Sequence, residues 1–373
     1  MEARAPDVRG DSISGTPECT TQTMLSTEIQ IHDLVEALRR SPWIALDTEA
    51  DSLHCYPEKL CLLQLSHAGQ DELVDPLGAA PLAPLLDLLA TRELTLHGAG
   101  FDLRLLRRTH GFVAQRIFDT EIAARLLGRP RCGLRDLVSE ILGVELDKGS
   151  QRANWSRRPL TPKMLEYAYG DTRYLNPLRD FLDAELARLG RQPWHREVCA
   201  RLITSSVPSV PDRARDWRIK GSAHHGPRAL AALRELWLWR EEQAIARNRP
   251  PYFVLSHETL LEIASQAVGA AAVELPSALK GPQRNEIEEA LARARALPES
   301  ALPEPEPPQR PPRLGGEVLG RVEALRKRRD QRAAELGIDP TLIATRGDLV
   351  ALAENWDDAL GAMMSWQAAL VRP

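Results

Sequence analysis

Trp43-Ile44-Ala45-Leu46-Asp47-Thr48-Glu49 is the stretch on which the fold turns. Four apolar residues run straight into two acids. A short apolar run of this kind reads as a buried strand, with carboxylates at its C-terminal end. On an extended strand, residues i and i+2 lie on one face, so Asp47 and Glu49 can face a single ion. Two more runs follow closely: Leu60 to Leu65, alternating around Gln64, and Glu72-Leu73-Val74-Asp75, stopped by Pro76. With a turn region from Asp51 to Lys59, three strands in such close succession predict an antiparallel meander. Leucines at helical spacing from Leu82 to Leu89 come next, then a fourth strand, Leu94 to His97, broken by Gly98 and Gly100. Ile117-Phe118 marks a fifth, ending at Asp119-Thr120, a strand end and helix cap. Helices are expected at 102–109, 119–127, 133–142 and 161–186. Strands first, then alternating helices and strands, indicate an α/β or α+β sheet with helices on its faces.

The chain has 373 residues, 43% apolar and 27% charged, with a net charge of −4. Its length predicts two or three domains. There is no global basic signature, so any nucleic-acid contact must use local basic patches. Cys19, Cys55, Cys61, Cys132 and Cys199 form no Cys-x-x-Cys pair. That scatter argues against zinc and suits reduced thiols in a cytosol. The polar opening lacks an apolar signal region, residues 1–26 read as disordered, and no window is apolar enough to span a membrane. The expected location is cytoplasmic, with no membrane partner; nothing in the sequence fixes an oligomeric state.

From Arg201 onward the pattern is helical. Leu230, Leu233, Leu236 and Trp237 mark one amphipathic helix, Val254 to Val268 holds a second with Ser256 as N-cap, and Glu286 to Leu297 is a third. Residues 298–314 are rich in Pro and Glu and read as a semi-extended linker that lets the last unit move. The segment 315–373 echoes the preceding unit: both run helix, proline turn, connector, capped helix.

Two further acids stand at structurally meaningful places. Asp102 opens a helix just after the fourth strand, and Asp171 lies four residues after Tyr167, on the same helix face. Brought together, Asp47, Glu49, Asp102 and Asp171 could hold two hard divalent cations. Such a pair, roughly 3.5–4 Å apart, stabilises the attacking and leaving oxygens of phosphodiester cleavage. Tyr167 could orient the attacking water. Basic residues flank the set: Arg104, Arg107 and Arg108 after Asp102, and Lys148, Arg152, Arg157 and Arg158 in the connector before Tyr167. A phosphate backbone needs such partners. Trp155, in the same connector, could stack on a base or pack inward.

In order and spacing, these acidic motifs resemble the DEDD exonuclease superfamily in its tyrosine-bearing branch. Asp47-Thr48-Glu49-Ala50-Asp51-Ser52, Tyr56-Pro57, Leu62 to Leu65, Leu146-Asp147-Lys148 through Trp155, Arg158 to Thr161 and Asp171 to Leu175 resemble the ribonuclease D family. Asn248-Arg249-Pro250-Pro251 with Val254 to Leu260 resembles the helicase-and-ribonuclease-D C-terminal (HRDC) domain, and Glu335 to Pro340 the start of a divergent second copy.

The resemblance implies an α/β ribonuclease-H-like exonuclease domain at 27–195, a first all-α HRDC module at 205–297, the linker, and a second HRDC-like module at 315–373. It implies a 3′–5′ exoribonuclease that releases nucleoside monophosphates, dependent on two Mg²⁺ or Mn²⁺ ions. Asp47 would bridge both ions, Glu49 and Asp171 complete the first, and Asp102 hold the second. Tyr167 would position the nucleophilic water. Lys148, Arg152 and Trp155 are candidate substrate contacts. The expected partner is RNA, such as tRNA precursors or other structured 3′ ends, with DNA as the alternative on the same site. A non-catalytic RNA-binding protein is the third reading, disfavoured by the full set of carboxylates.

Overall fold

A computed structural model describes residues 24–147, 149–207, 212–269, 273–306 and 314–373. Helix α1 (Glu28–Arg40) leads into strands β1 (Ile44–Ala50), β2 (Leu60–His67) and β3 (Gln70–Val74). Next come α2 (Ala83–Thr91), β4 (Glu93–Leu96), α3 (Gly100–His110), β5 (Arg116–Asp119), α4 (Thr120–Leu126), α5 (Leu134–Leu142), α6 (Pro162–Arg173), α7 (Leu175–Arg188) and α8 (Gln192–Ser205). The five strands form one sheet in the order β3-β2-β1-β4-β5. The meander β1-β2-β3 is antiparallel, while β4 pairs parallel with both β1 and β5. The sheet is therefore mixed, as the ribonuclease-H-like fold implied by the resemblance requires.

Helices cover both faces, which explains why every residue of β2 is buried. On one side Leu38 of α1, Leu85 and Leu89 of α2 and Leu106 of α3 pack with Ile44, Leu46, Leu63, Leu65 and Leu94. On the other, α6 and the connector before it bring Trp155, Leu160, Met164 and Tyr169 against Leu62 and Leu73.

The structure departs from the sequence reading at several boundaries. Leu25, placed in the expected disordered segment, pairs with β3: its amide donates to the Leu73 carbonyl at 2.8 Å and its carbonyl accepts from Asp75 at 2.9 Å. Residues 1–23 of that segment lie outside the described residues. The single helix expected at 161–186 is two, broken at Tyr174. Continuing it would need an amide hydrogen at Pro177 to reach the Arg173 carbonyl, and proline has none. The boundary at 195 falls inside α8, whose Cys199 is part of the sheet's core.

The first helical unit contains α9 (Pro227–Ala246), α10 (His257–Gln266) and α11 (Gly281–Ala296), around Leu230, Leu233, Leu236, Trp239, Leu260, Ile263 and Ile287. Ser256 caps α10, its hydroxyl accepting from the Thr259 amide at 3.1 Å.

The last unit holds α12 (Gly316–Leu336), α13 (Pro340–Ile343), α14 (Arg346–Glu354), α15 (Trp356–Ala362) and α16 (Ser365–Val371). The expectation that it moves on its linker is not met. Ile338, Ile343, Leu349, Trp366 and Val371 share one core with Phe118, Ala123, Leu126, Leu137 and Leu182 of the sheet domain. Trp194 stacks on Trp366, ring centroids 4.8 Å apart at 14°. The buried Arg191 joins the two parts, donating to the Leu126 and Leu336 carbonyls, each at 2.6 Å. Gly128 has a positive φ of 76° and lies so close to Gly337 that a Cβ there would collide with its carbonyl. The apolar faces of α4, α5 and α7 would face water without this cover, which is why the unit is docked. Linker residues 307–313 lie outside the described residues.

Candidate functional site

β1 carries its acids inside the strand, with Asp47 paired to Gln64 and Glu49 to Leu62 on β2. Gln64 Nε2 donates to Asp47 Oδ2 at 3.3 Å. Across that face lies α6, begun by Pro162 and capped by Thr161, whose hydroxyl accepts from the Met164 amide. Two contacts hold the helix on the sheet: Ser66 Oγ and Thr172 Oγ1 share a hydrogen bond at 2.8 Å, and Arg173 Nε donates to Asp71 Oδ2 at 2.6 Å. Asp171 and Tyr167, one turn apart, then point at β1. Carboxylate oxygens of Asp47, Glu49 and Asp171 lie within 4.8 Å of one another.

Asp102 is buried in the first turn of α3 and stands outside that trio. It accepts from Thr48 Oγ1 at 2.5 Å, which ties it to β1 between the two acids. The turn before it is held by Asp119. One Asp119 oxygen accepts from the Gly98 amide at 3.1 Å and caps α4 through Glu121 and Ile122; the other accepts from the Ala99 amide at 2.8 Å. Gly98 has φ +66°, and a Cβ there would lie 2.8 Å from Glu121 Oε2. Thr48, Gln64 and Asp119 are absent from the set read off the sequence. Asp119 was legible only as a cap, and nothing in one sequence marks Thr48 or Gln64.

The electrostatics are those of crowded anions. Burial, reinforced by Asp102, Asp171 and Glu49, pushes the Asp47 carboxyl well above its usual range. Burial and the charges of Asp171 and Asp102 raise Glu49 to about 9. Asp171 rises to about 7 through burial and Asp102, and Asp102 to about 6 through burial, opposed by the Thr48 hydrogen bond. Asp171 Oδ2 is buried with no hydrogen-bond partner among the described residues. An all-oxygen donor set with mutual repulsion and an unsatisfied buried oxygen fits a hard divalent cation. Burial, then the same carboxylates, raise the Tyr167 hydroxyl, so it stays protonated.

Two cavities adjoin the acids. One, of about 140 Å³, is lined by Glu49, Ser52, Leu53, His54, Phe101 and Gln151. The other, of about 350 Å³, is lined by Asp147, Lys163, Glu166, Tyr167, Asp171 and Tyr174. Leu53 and Phe101 leave about half of their surface exposed, at 52% and 42%.

The candidate substrate contacts fare differently. Trp155 is 1% exposed and packs on Tyr167 with ring centroids 6.0 Å apart, so it backs the tyrosine and presents no face to a base. Leu62 and Leu73 of the sheet and Met164 of α6 form the apolar cluster that draws the indole inward. Arg152 is exposed between Gln151 and Ala153 at the rim of the smaller cavity, and its carbonyl contacts His54 Nε2 at 3.4 Å. Lys148 lies outside the described residues. Arg158, a flanking base in the sequence, is taken up internally: it grips Asp75 at 2.6 and 2.8 Å and donates to the Cys61 carbonyl at 2.7 Å. Arg108 pairs with Glu58 at 2.7 Å.

This arrangement has known counterparts. A family model described as 3′–5′ exonuclease matches residues 22–187, and one described as HRDC domain matches residues 229–268. Ribonuclease D of Gluconacetobacter diazotrophicus is 32% identical over 360 residues, covering 92% of this chain and 89% of that protein. The chain belongs to the ribonuclease D family. Ribonuclease D of Escherichia coli is 35% identical over 291 residues, covering 76% of this chain and 77% of its own. The crystal structure of the E. coli enzyme, described as an exoribonuclease involved in structured RNA processing, superposes with a TM-score of 0.69. It is 29% identical, and the match covers 90% of each chain. As a ribonuclease D, the chain is a hydrolase, a 3′–5′ exoribonuclease that depends on divalent metal and acts on nucleic acid. No helix among the described residues is long and apolar enough to cross a membrane.

Proposed function

We propose that this ribonuclease D trims structured RNA, such as tRNA precursors, from the 3′ end, using Asp47, Glu49, Asp102 and Asp171 to hold two Mg²⁺ or Mn²⁺ ions. The reading is carried by the meeting of Asp47 and Glu49 with Asp171, over a hundred residues further along, with oxygens within 4.8 Å. Asp47, Glu49 and Asp171 would hold one ion, and Asp102, fixed by Thr48, would serve the other with Asp47. When bound, the ions supply the positive charge that stabilises the attacking and leaving oxygens of a phosphodiester.

The chain's own groups do the rest. Tyr167, one helical turn from Asp171, holds and orients a water beside it. Trp155 fixes the phenol from behind. Leu53 and Phe101, exposed beside Glu49, offer apolar surface to the terminal base. The structured-RNA assignment draws on the description of the E. coli relative. Residues 315–373 are read as a divergent second HRDC-like unit.

The test uses 5′-labelled RNA and DNA of matched sequence with Mg²⁺ or Mn²⁺. A one-nucleotide ladder on RNA, abolished by EDTA, is expected. A ladder on DNA alone refutes the RNA assignment, and binding without cleavage under either ion refutes the site. Asp47→Ala should abolish turnover while RNA binding persists; an active variant would show that the site is elsewhere.

A further inference from the structure

The turn that ends α9 carries side chains with no part in the acid site. Asn248 adopts a left-handed conformation, φ 48°, and the amides of Asn248 and Arg249 donate back to Ile245 at 3.0 Å and Ala244 at 2.9 Å. This is a closed helix C-terminus, with asparagine where a left-handed residue is needed. Pro250 and Pro251 then stiffen the chain just beyond it. On this rigid turn Tyr252 and Phe253 are 68% and 54% exposed. They meet edge to face at 5.9 Å, and the Arg249 guanidinium lies over the Phe253 ring at 5.4 Å. Arg247, two residues before Arg249, is also exposed, its guanidinium donating to Gln243 Oε1 at 2.8 Å. Adjacent large aromatics in water are unusual unless something covers them.

Their position is set by contacts with the nuclease domain. Asn248 Oδ1 accepts from the Tyr56 amide at 3.2 Å. The Tyr56 hydroxyl donates to Glu241 Oε2 at 2.6 Å, and Glu241 is held by the buried Arg240 at 3.0 Å. Tyr56 belongs to the β1–β2 loop, whose Ser52, Leu53 and His54 line the cavity beside Glu49. Fully extended, Leu53 to Tyr56 spans at most about 11 Å and Asn248 to Phe253 at most about 18 Å. With roughly 7 Å more for the Tyr56–Asn248 link, the strip lies within about 36 Å of that cavity.

We propose that Arg247, Arg249, Tyr252 and Phe253 form a distal subsite for single-stranded RNA, taking bases and phosphates upstream of the nucleotide in the acid site. A polyanion approaching a chain of net charge −4 needs a local basic strip, and rings with a guanidinium beside them suit stacked bases and their backbone. The Tyr56–Glu241 and Tyr56–Asn248 contacts keep this strip in register with the active-site loop. The proposal rests on the RNA reading above.

The test compares the full chain with Tyr252→Ala/Phe253→Ala and Arg249→Gln on two RNAs. One is the shortest strand the unaltered enzyme degrades; the other is a single strand long enough to reach the turn. On the long strand KM should rise about 5- to 150-fold, the equivalent of losing one stacked base, with kcat unchanged. The short strand should be degraded as before, which also reports an intact fold. Arg249→Gln should in addition weaken the salt dependence of KM on the long strand. An unchanged KM on the long strand overturns the proposal, as does an equal loss on both strands. Failure of the unaltered enzyme on every RNA would instead overturn the RNA reading.

Discussion

Asp119→Asn is a nearly isosteric change that asks whether the turn before Asp102 is a positioning device. The carboxylate accepts four backbone amides: three on one oxygen and that of Ala99 on the other. Asparagine has a single acceptor oxygen. If it keeps the helix cap and Gly98, its NH₂ group faces the Ala99 N–H, donor against donor. Ala99 is 0% exposed, so water cannot replace the lost partner. Leaving one buried donor unsatisfied costs about 1–3 kcal/mol. For a domain of this size that is a fall in melting temperature of about 2–12 °C. Asp102 lies three residues beyond Ala99, and a displacement of about 1 Å in a reacting constellation costs about 10²-fold in rate. The assay pairs thermal melts with kcat on RNA, measured far below the melting transition. A lower melting temperature with an unchanged kcat would refute the positioning argument. An unchanged value for both would refute the hydrogen-bond reading itself.

Trp155→Ala should destabilise the domain by about 3–5 kcal/mol and lower kcat through Tyr167; a rise in KM alone would show that the indole touches substrate. Burial works to raise Asp75, but the Arg158 hydrogen bonds and the Leu77 amide outweigh it and hold the carboxyl below its usual value. That stability is present above the unfolded carboxylate pKa of about 3.9 and is lost as pH falls through the lower folded value, so Asp75→Asn should flatten the acid limb of a urea-denaturation series. Glu49 is raised from 4.5 to about 9 by burial and by Asp171 and Asp102. The unfolded chain then releases this proton first, and metal-free stability falls as pH climbs between those values. Glu49→Gln should melt higher than the parent in EDTA at neutral pH and lose turnover, while a lower melting temperature would contradict the crowding argument.

The strands and the four acids were legible because they depend on local patterns. An apolar run ending in Asp-x-Glu and a Tyr four residues before an Asp on one helix keep their meaning wherever they fold. The polar partners were not legible. Thr48 reaches Asp102 across 54 residues and Ser66 reaches Thr172 across 106, and neither hydroxyl carries a local signature. Arg158 could not be told from a phosphate contact, because its partner Asp75 is 83 residues away. Trp155 was ambiguous for the same reason: an aromatic in a basic connector gives no sign of which way it turns. The proline-rich linker misled most. Its composition describes the linker alone, whereas docking of the last unit is decided by the apolar faces at each end.

The shared core has a consequence for how the protein is made. The 3′–5′ exonuclease match ends at residue 187, yet the core that α4, α5 and α7 help to form is completed by Ala333, Ile338, Ile343, Leu349, Trp366 and Val371. Between Leu186 and Ala333 the ribosome adds 147 residues, about 7–30 s of synthesis at the usual rates. Throughout that interval the nascent nuclease carries an open apolar surface. A message broken anywhere in that stretch yields a fragment that lacks the side chains from Ala333 to Val371 and leaves this surface open.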